Sequence, residues 1–180
     1  MAGRAVLTAG VVLVGAGILA GAPAAALRSQ QAGCSAEAGT KIESAGMYRF
    51  ALHFGAAERM YTLAEVRKLH PATGEVMVGG AMMSMPAMGM NANSRHVEVQ
   101  ICKSATGSVL KDAMPGITMT DLANGATIKV PVAKMQGVHA TSGDIHYGNN
   151  VTVKPGHRYR VDVRVMAVRA RFVVKVVKAG

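Results

Sequence analysis

Apolar and polar positions alternate with a period of two in several short runs of the chain. Tyr48, Phe50, Leu52 and Phe54 alternate with Arg49, Ala51 and His53, and Val97, Val99 and Ile101 alternate with His96, Glu98 and Gln100. Further on, Tyr159, Val161, Val163 and Val165 alternate with Arg158, Arg160, Asp162 and Arg164, and Phe172, Val174 and Val176 supply a closing run. Successive side chains of a strand point to opposite faces, so each run predicts a strand with one buried face. Thr127 to Val132 and Asn150 to Val153 are further strand candidates. Between the runs lie Pro71-Ala72-Thr73-Gly74, Ala105-Thr106-Gly107, Asn124-Gly125, Ser142-Gly143-Asp144 and Lys154-Pro155-Gly156, each suited to a chain reversal. Only Thr62 to Leu69 carries a helical pattern, one or two turns beginning after Thr62. About seven short strands separated by regular turns predict an all-β domain, an immunoglobulin-like antiparallel β-sandwich. That domain is expected to cover residues 44–180, preceded at 27–43 by a flexible lead-in of small polar residues without periodicity.

The first 26 residues follow a different grammar. A basic start at Arg4, an apolar stretch from Ala5 to Ala20 and the small-residue run Ala24 to Ala26 predict a secretory signal peptide over 1–26, cleaved before Leu27. An uncleaved membrane anchor is the alternative, because the stretch is long enough to span a bilayer. Export to a periplasmic or other cell-envelope space would be oxidising, which bears on Cys34 and Cys102, the only two cysteines. They are too far apart for a Cys-x-x-Cys redox pair, and an intramolecular disulfide is the favoured expectation. Lipidation of Cys34 is the alternative, although Arg28, Gln30 and Gln31 separate that cysteine from the apolar run.

Composition narrows the function classes. Lys plus Arg number 20 against 10 Asp plus Glu, giving +10. Much of the excess lies in Arg158, Arg160, Arg164, Arg169, Arg171, Lys175 and Lys178, opposed locally by Asp162 alone. Alternation makes these a solvated sheet face first, with attraction to anionic envelope polymers or lipid headgroups as the functional version. With no Trp, three Phe and four Tyr, a stacking platform for nucleic acid is poorly supplied, and no nucleic-acid partner is expected. Enzyme signatures are missing too: the sequence has no Gly-x-Ser-x-Gly elbow, no His-Glu-x-x-His pair and no phosphate loop. A binding role is therefore expected rather than catalysis.

The residues suited to binding are soft or borderline metal ligands. Methionines number 13, and Met77, Met82, Met83, Met85, Met88 and Met90 crowd into one Gly- and Pro-containing stretch. Thioethers select copper(I), and an irregular loop lets several point at one centre; the alternative is that they fill irregular gaps in the core. His96 and Glu98, two apart on a predicted strand, emerge from one face and could share an ion. Met135, His139 and His146 form a second group of candidate ligands, whereas His53, His70 and His157 lack comparable companions and read as surface or core residues.

The strand His96-Val97-Glu98, followed downstream by Met135 and by His146-Tyr147-Gly148-Asn149-Asn150, resembles the periplasmic iron-transport-associated metal-binding proteins, the secreted partners of high-affinity iron permeases. The resemblance implies an immunoglobulin-like sandwich, usually a homodimer, that binds copper and is linked to iron uptake through a membrane permease. It further implies that His96, Glu98, Met135 and His146 ligate a copper or iron ion; the family's further histidine on a later loop has no match beyond His157, and His139 or a residue of the methionine loop such as Met90 is expected to substitute. Two other expectations stand beside it: a copper(I) chaperone built on the methionine loop, and a structural envelope domain that holds no metal.

Overall fold

A computed structural model describes residues 34, 39–80, 91–141 and 143–177. The chain divides into units Met1–Gln30 and Gln31–Gly180, and every described residue belongs to the second. The expected signal peptide and the methionines from Met82 to Met90 lie outside the described residues, as does Lys178.

The alternating runs form the all-β sandwich. One sheet has seven strands in the order β1-β2-β5-β9-β8-β4-β3: β1 Lys41–Ala45, β2 Tyr48–Ala56, β3 Met60–Thr62, β4 Glu75–Gly80, β5 Ser94–Lys103, β8 Ala133–Gly137 and β9 His146–Thr152. The other has four, in the order β11-β10-β6-β7: β6 Gly116–Asp121, β7 Thr127–Val130, β10 Arg158–Val165 and β11 Val168–Lys175. All pairings are antiparallel except β3 with β4, which are parallel and joined through helix α1, Leu63–Leu69. The helix begins where the sequence places it. Thr62 Oγ1 accepts from the Glu65 N–H at 3.2 Å while the Glu65 carboxylate accepts from the Thr62 N–H at 2.7 Å, which satisfies donors that a free helix start leaves open.

Between the sheets lies one apolar core. Phe50 and Leu52 of β2 and Val97, Val99 and Ile101 of β5 meet Val161, Val163, Phe172 and Val174 of β10 and β11, all buried. Because these are the odd members of each alternation in β5, their neighbours His96, Glu98, Gln100 and Cys102 must face away from the core, onto the outer face of the large sheet. Tyr147 locks β9 from the core side: its hydroxyl donates to the Leu110 carbonyl at 2.7 Å and accepts from the Ala113 N–H at 2.9 Å.

Lys41–Ala45 corrects the expected lead-in. This segment is strand β1, so the boundary at residue 43 cuts through it. Its side chains are exposed or half-buried, and backbone pairing with β2 from Lys41↔Leu52 to Ala45↔Tyr48 holds it, which leaves little alternation to read. Upstream, Cys34 is buried and disulfide-bonded to Cys102. The bond sits on the outer face of the large sheet beside Ala51, and the Cys34 N–H donates to Gln100 Oε1 at 2.7 Å.

Candidate metal centre

Four adjacent strands bring polar groups together on the outer face of the large sheet. In register, His96 pairs with Asn150, Glu98 with Gly148, His146 with Met135, and Met135 with Met77, so all of these side chains share one face. Glu75 lies two residues before Met77 on β4 and pairs with Gly137 of β8. Gly137 sets no side chain between Glu75 and β9, and Glu75 Oε2 reaches to 2.9 Å from His146 Nε2. The same nitrogen is 3.1 Å from Glu98 Oε2, which is itself 3.4 Å from His96 Nε2. One ligand atom from each of His96, Glu98 and His146 lies within 4.8 Å of the others.

The backbone makes this convergence possible at Gly148. A Cβ there would overlap the Val97 carbonyl oxygen, so only glycine lets β9 approach β5 this closely between its His146 and Asn150 positions.

Partners behind the histidines decide which ring nitrogens are free. Asn150 Nδ2 donates to the Glu58 carbonyl at 2.7 Å, and Asn150 Oδ1 accepts from the Glu58 N–H at 3.1 Å, which fixes the amide orientation. His96 Nδ1, 3.0 Å from that same Oδ1, must therefore be the donor. His146 Nδ1 donates to the Asp144 carbonyl at 2.7 Å. In the neutral rings both Nε2 atoms then carry lone pairs directed at the cluster, the arrangement that orients histidines toward a metal. Despite the short separations, buried His96 Nε2, His146 Nε2 and Glu75 Oε2 have no hydrogen-bond partner of adequate geometry among the described residues. Burial without a hydrogen bond costs about 1–3 kcal/mol per group, and either a proton on the imidazole, which turns the short contacts into ion pairs, or a shared cation would offset it.

Electrostatics point the same way. Burial works against a charged His146, yet the Glu75 and Glu98 carboxylates hold its pKa up at about 9. His96 is likewise raised against burial, chiefly by Glu98. Glu98 is lowered although burial opposes its charge, because His96 and His146 offset that cost. Glu58 is raised, first by burial and then by Glu75 and Glu98, against the pull of His96. The carboxylates thus favour positive charge at these rings, whether it is carried by a proton or by a metal ion.

Access is from one side. His96, His146 and Glu75 are buried, whereas Glu98 is partly open to a cleft of about 380 Å³ lined by His53, Gln100, Thr141, Asp144 and His146 among others. The structure thus brings His96, Glu98 and His146 together as the sequence suggests, and it buries Met135 next to His146 in register. His139 stands apart, exposed on the turn after β8 and outside the cluster. Met90 lies outside the described residues. His53 pairs with Glu98 in register and lines the cleft, rather than sitting on an unrelated surface. Glu75 is the residue that sequence reading missed, since a lone glutamate before Val76 carries no motif and reaches the site only through the β4–β8 pairing.

No protein-family model matches the sequence, and no curated protein does. Among solved structures, a DUF4426 family protein from Pseudomonas aeruginosa PAO1 is similar at 8% identity, over 79% of this chain and 98% of that one, with a TM-score of 0.49.

Proposed function

We propose that this protein is an exported binding protein for a copper or iron ion, held by His96, Glu98, His146 and Glu75, and that it hands the ion on rather than turning over a substrate. The observation that carries the reading is the convergence of two buried imidazole Nε2 atoms on the Glu98 and Glu75 carboxylates, with one ligand atom each of His96, Glu98 and His146 within 4.8 Å of the others. Two imidazoles with two carboxylates suit a divalent ion such as iron(II) or copper(II), and the thioether of Met135 alongside would favour copper(I). A mixed set of this kind suits an ion that changes oxidation state. The cleft onto Glu98 gives a carrier its entry and exit route. The resemblance to the secreted partners of iron permeases supplies the rest of the proposal: a periplasmic or envelope location, a membrane permease as receiver and pairing as a homodimer.

Titration with copper(II), and with iron(II) under anaerobic conditions, tests the centre at neutral pH. Wild type is expected to bind one ion, His96→Ala and His146→Ala to lose at least about 100-fold in affinity, and Glu75→Gln about tenfold or more. If both histidine variants keep wild-type affinity and stoichiometry, the centre is wrong and a structural envelope domain takes its place. Loss confined to variants of Met82, Met83, Met85, Met88 and Met90 would instead favour the copper(I) chaperone.

A further inference from the structure

Met166 does not suit the turn that holds it. Val165 pairs with Val168, so Met166 and Ala167 form a two-residue hairpin connection between β10 and β11, and Met166 has φ 52°. Such turns favour Asn or Gly, because a bulky side chain at positive φ is strained. The Met166 side chain is nevertheless 82% exposed and packs on nothing that would repay the strain. A second apolar tip stands beside it. Met47, 69% exposed, occupies the β1–β2 turn, whose Gly46 is so near β11 that a Cβ on it would lie 3.2 Å from Val168 Cγ2.

Cations ring these tips. Arg164 and Arg169 pair directly behind Met166, both exposed, and Arg164 Nε donates to the Met166 carbonyl at 2.9 Å. Arg49, also exposed, follows the Met47 turn. The outer face of the small sheet continues the charge with Arg158 and Arg160 of β10, Arg171 and Lys175 of β11, and Lys129 of β7. Its one carboxylate among the described residues, Asp162, is shared by Arg160 at 2.9 Å and Arg171 at 3.0 Å. Tyr159 and Phe172 point into the core, so this face offers no ring for stacking bases or sugars.

A soluble polyanion would match the cations and leave the apolar tips without purpose. An anionic bilayer uses both, since phosphates meet the guanidinium groups and the headgroup boundary accepts short apolar side chains. We propose that this end of the sandwich docks on an anionic phospholipid surface, with Met166 and Met47 entering the headgroup layer and Arg164, Arg169 and Arg49 pairing with phosphates. The inference uses none of the metal-centre residues; Arg164 and Arg169 lie on the other sheet, and Arg49, paired with Cys102, lies on the large sheet's outer face at this end.

Co-flotation of the purified protein with phosphatidylcholine vesicles, with and without phosphatidylglycerol, provides the test. Binding is expected only to the anionic vesicles and is expected to weaken with added salt. Arg164→Glu with Arg169→Glu should lower affinity by at least about tenfold, whereas the charge-matched pair Arg67→Glu and Lys68→Glu on α1 should change it far less. Met166→Asn suits the positive φ, so it should weaken binding several-fold without lowering the melting temperature. The proposal is overturned by equal binding to neutral and anionic vesicles, or by equal effects of the two charge reversals. Full binding by Met166→Asn, or capture by alginate or DNA with none by vesicles, also overturns it.

Discussion

On the outer face of the large sheet, His96 and His146 are 0% and 6% exposed and their Nε2 atoms lack hydrogen bonds; on the outer face of the small sheet, Arg171 is 57% exposed and its Nε is paired to Asp162. Both faces arise from the same alternation of core and outward positions. They differ in what covers them. The small sheet's outward residues meet solvent, where charge is cheap and water can serve the side chains that Asp162 does not pair. The large sheet's outward residues are packed by Cys34, the Gly143 carbonyl and the Glu58 backbone, so their polar groups are dehydrated and held in fixed directions. Polar character on a sheet face therefore says little about function; dehydrated polar character with unmet valence says a good deal.

Substitutions can break this contrast at graded cost. Gly148→Ala should do most damage, about 4 kcal/mol or outright loss of folding, because its Cβ meets the Val97 backbone rather than a side chain that could move. Chemical denaturation would detect it, and a variant as stable as wild type would show that β9 and β5 are not so close. Cys34→Ser with Cys102→Ser should cost roughly 2–4 kcal/mol by the same measurement and should also lower metal affinity, since the bond lies on the metal-binding face. Unchanged affinity would separate the disulfide from the site.

The third expectation concerns pH. His146 has its pKa raised from 6.5 to about 9 in the metal-free fold, so the stabilisation from its charge is complete below 6.5 and is lost as pH rises through about 9. Melting of the metal-free protein across that window should show a decline on the order of 2 kcal/mol that His146→Gln lacks. Bound metal should abolish the decline, because the ion replaces the proton. A flat wild-type profile would mean that Glu75 and Glu98 do not act on this ring. Smallest of all, Arg171→Ala on the other face should change stability by less than about 0.5 kcal/mol, as exposed pairs do. A large loss there would erase the contrast between the faces.

The sandwich was legible wherever burial alternates. β2, β5, β10 and β11 each place apolar residues at every second position, and α1 announces itself through Thr62 and Glu65. β1 was hidden because Lys41–Ala45 is held by backbone pairing with hardly any burial. At the site, His96 and Glu98 follow from spacing on one strand, while His146 stood in a separate group of candidate ligands that only the resemblance joined to that strand. Glu75 could not be found from spacing, since strand order sets its proximity and no local pattern encodes that order; Asn150, part of the quoted motif, gains its role from the β5–β9 pairing that sets it against His96. His139 failed for the converse reason. Seven residues before His146 in sequence, it stands on a turn that carries it away from the sheet face.

The bond between Cys34 and Cys102 also sets an order of events in the life of the molecule. It fixes Cys34 on the outer face of the large sheet, and Thr40, six residues on in sequence, forms part of the wall of the cleft that opens on Glu98. A newly made chain kept reduced has no covalent hold on that wall, and an oxidised one does. Under the proposed reading, oxidation is thus a maturation step that precedes loading: the receptacle is finished only after the chain has left the reducing space where it was made. Cytosolic metal would then meet an incomplete vessel, and the compartment itself would act as the check on what the protein carries.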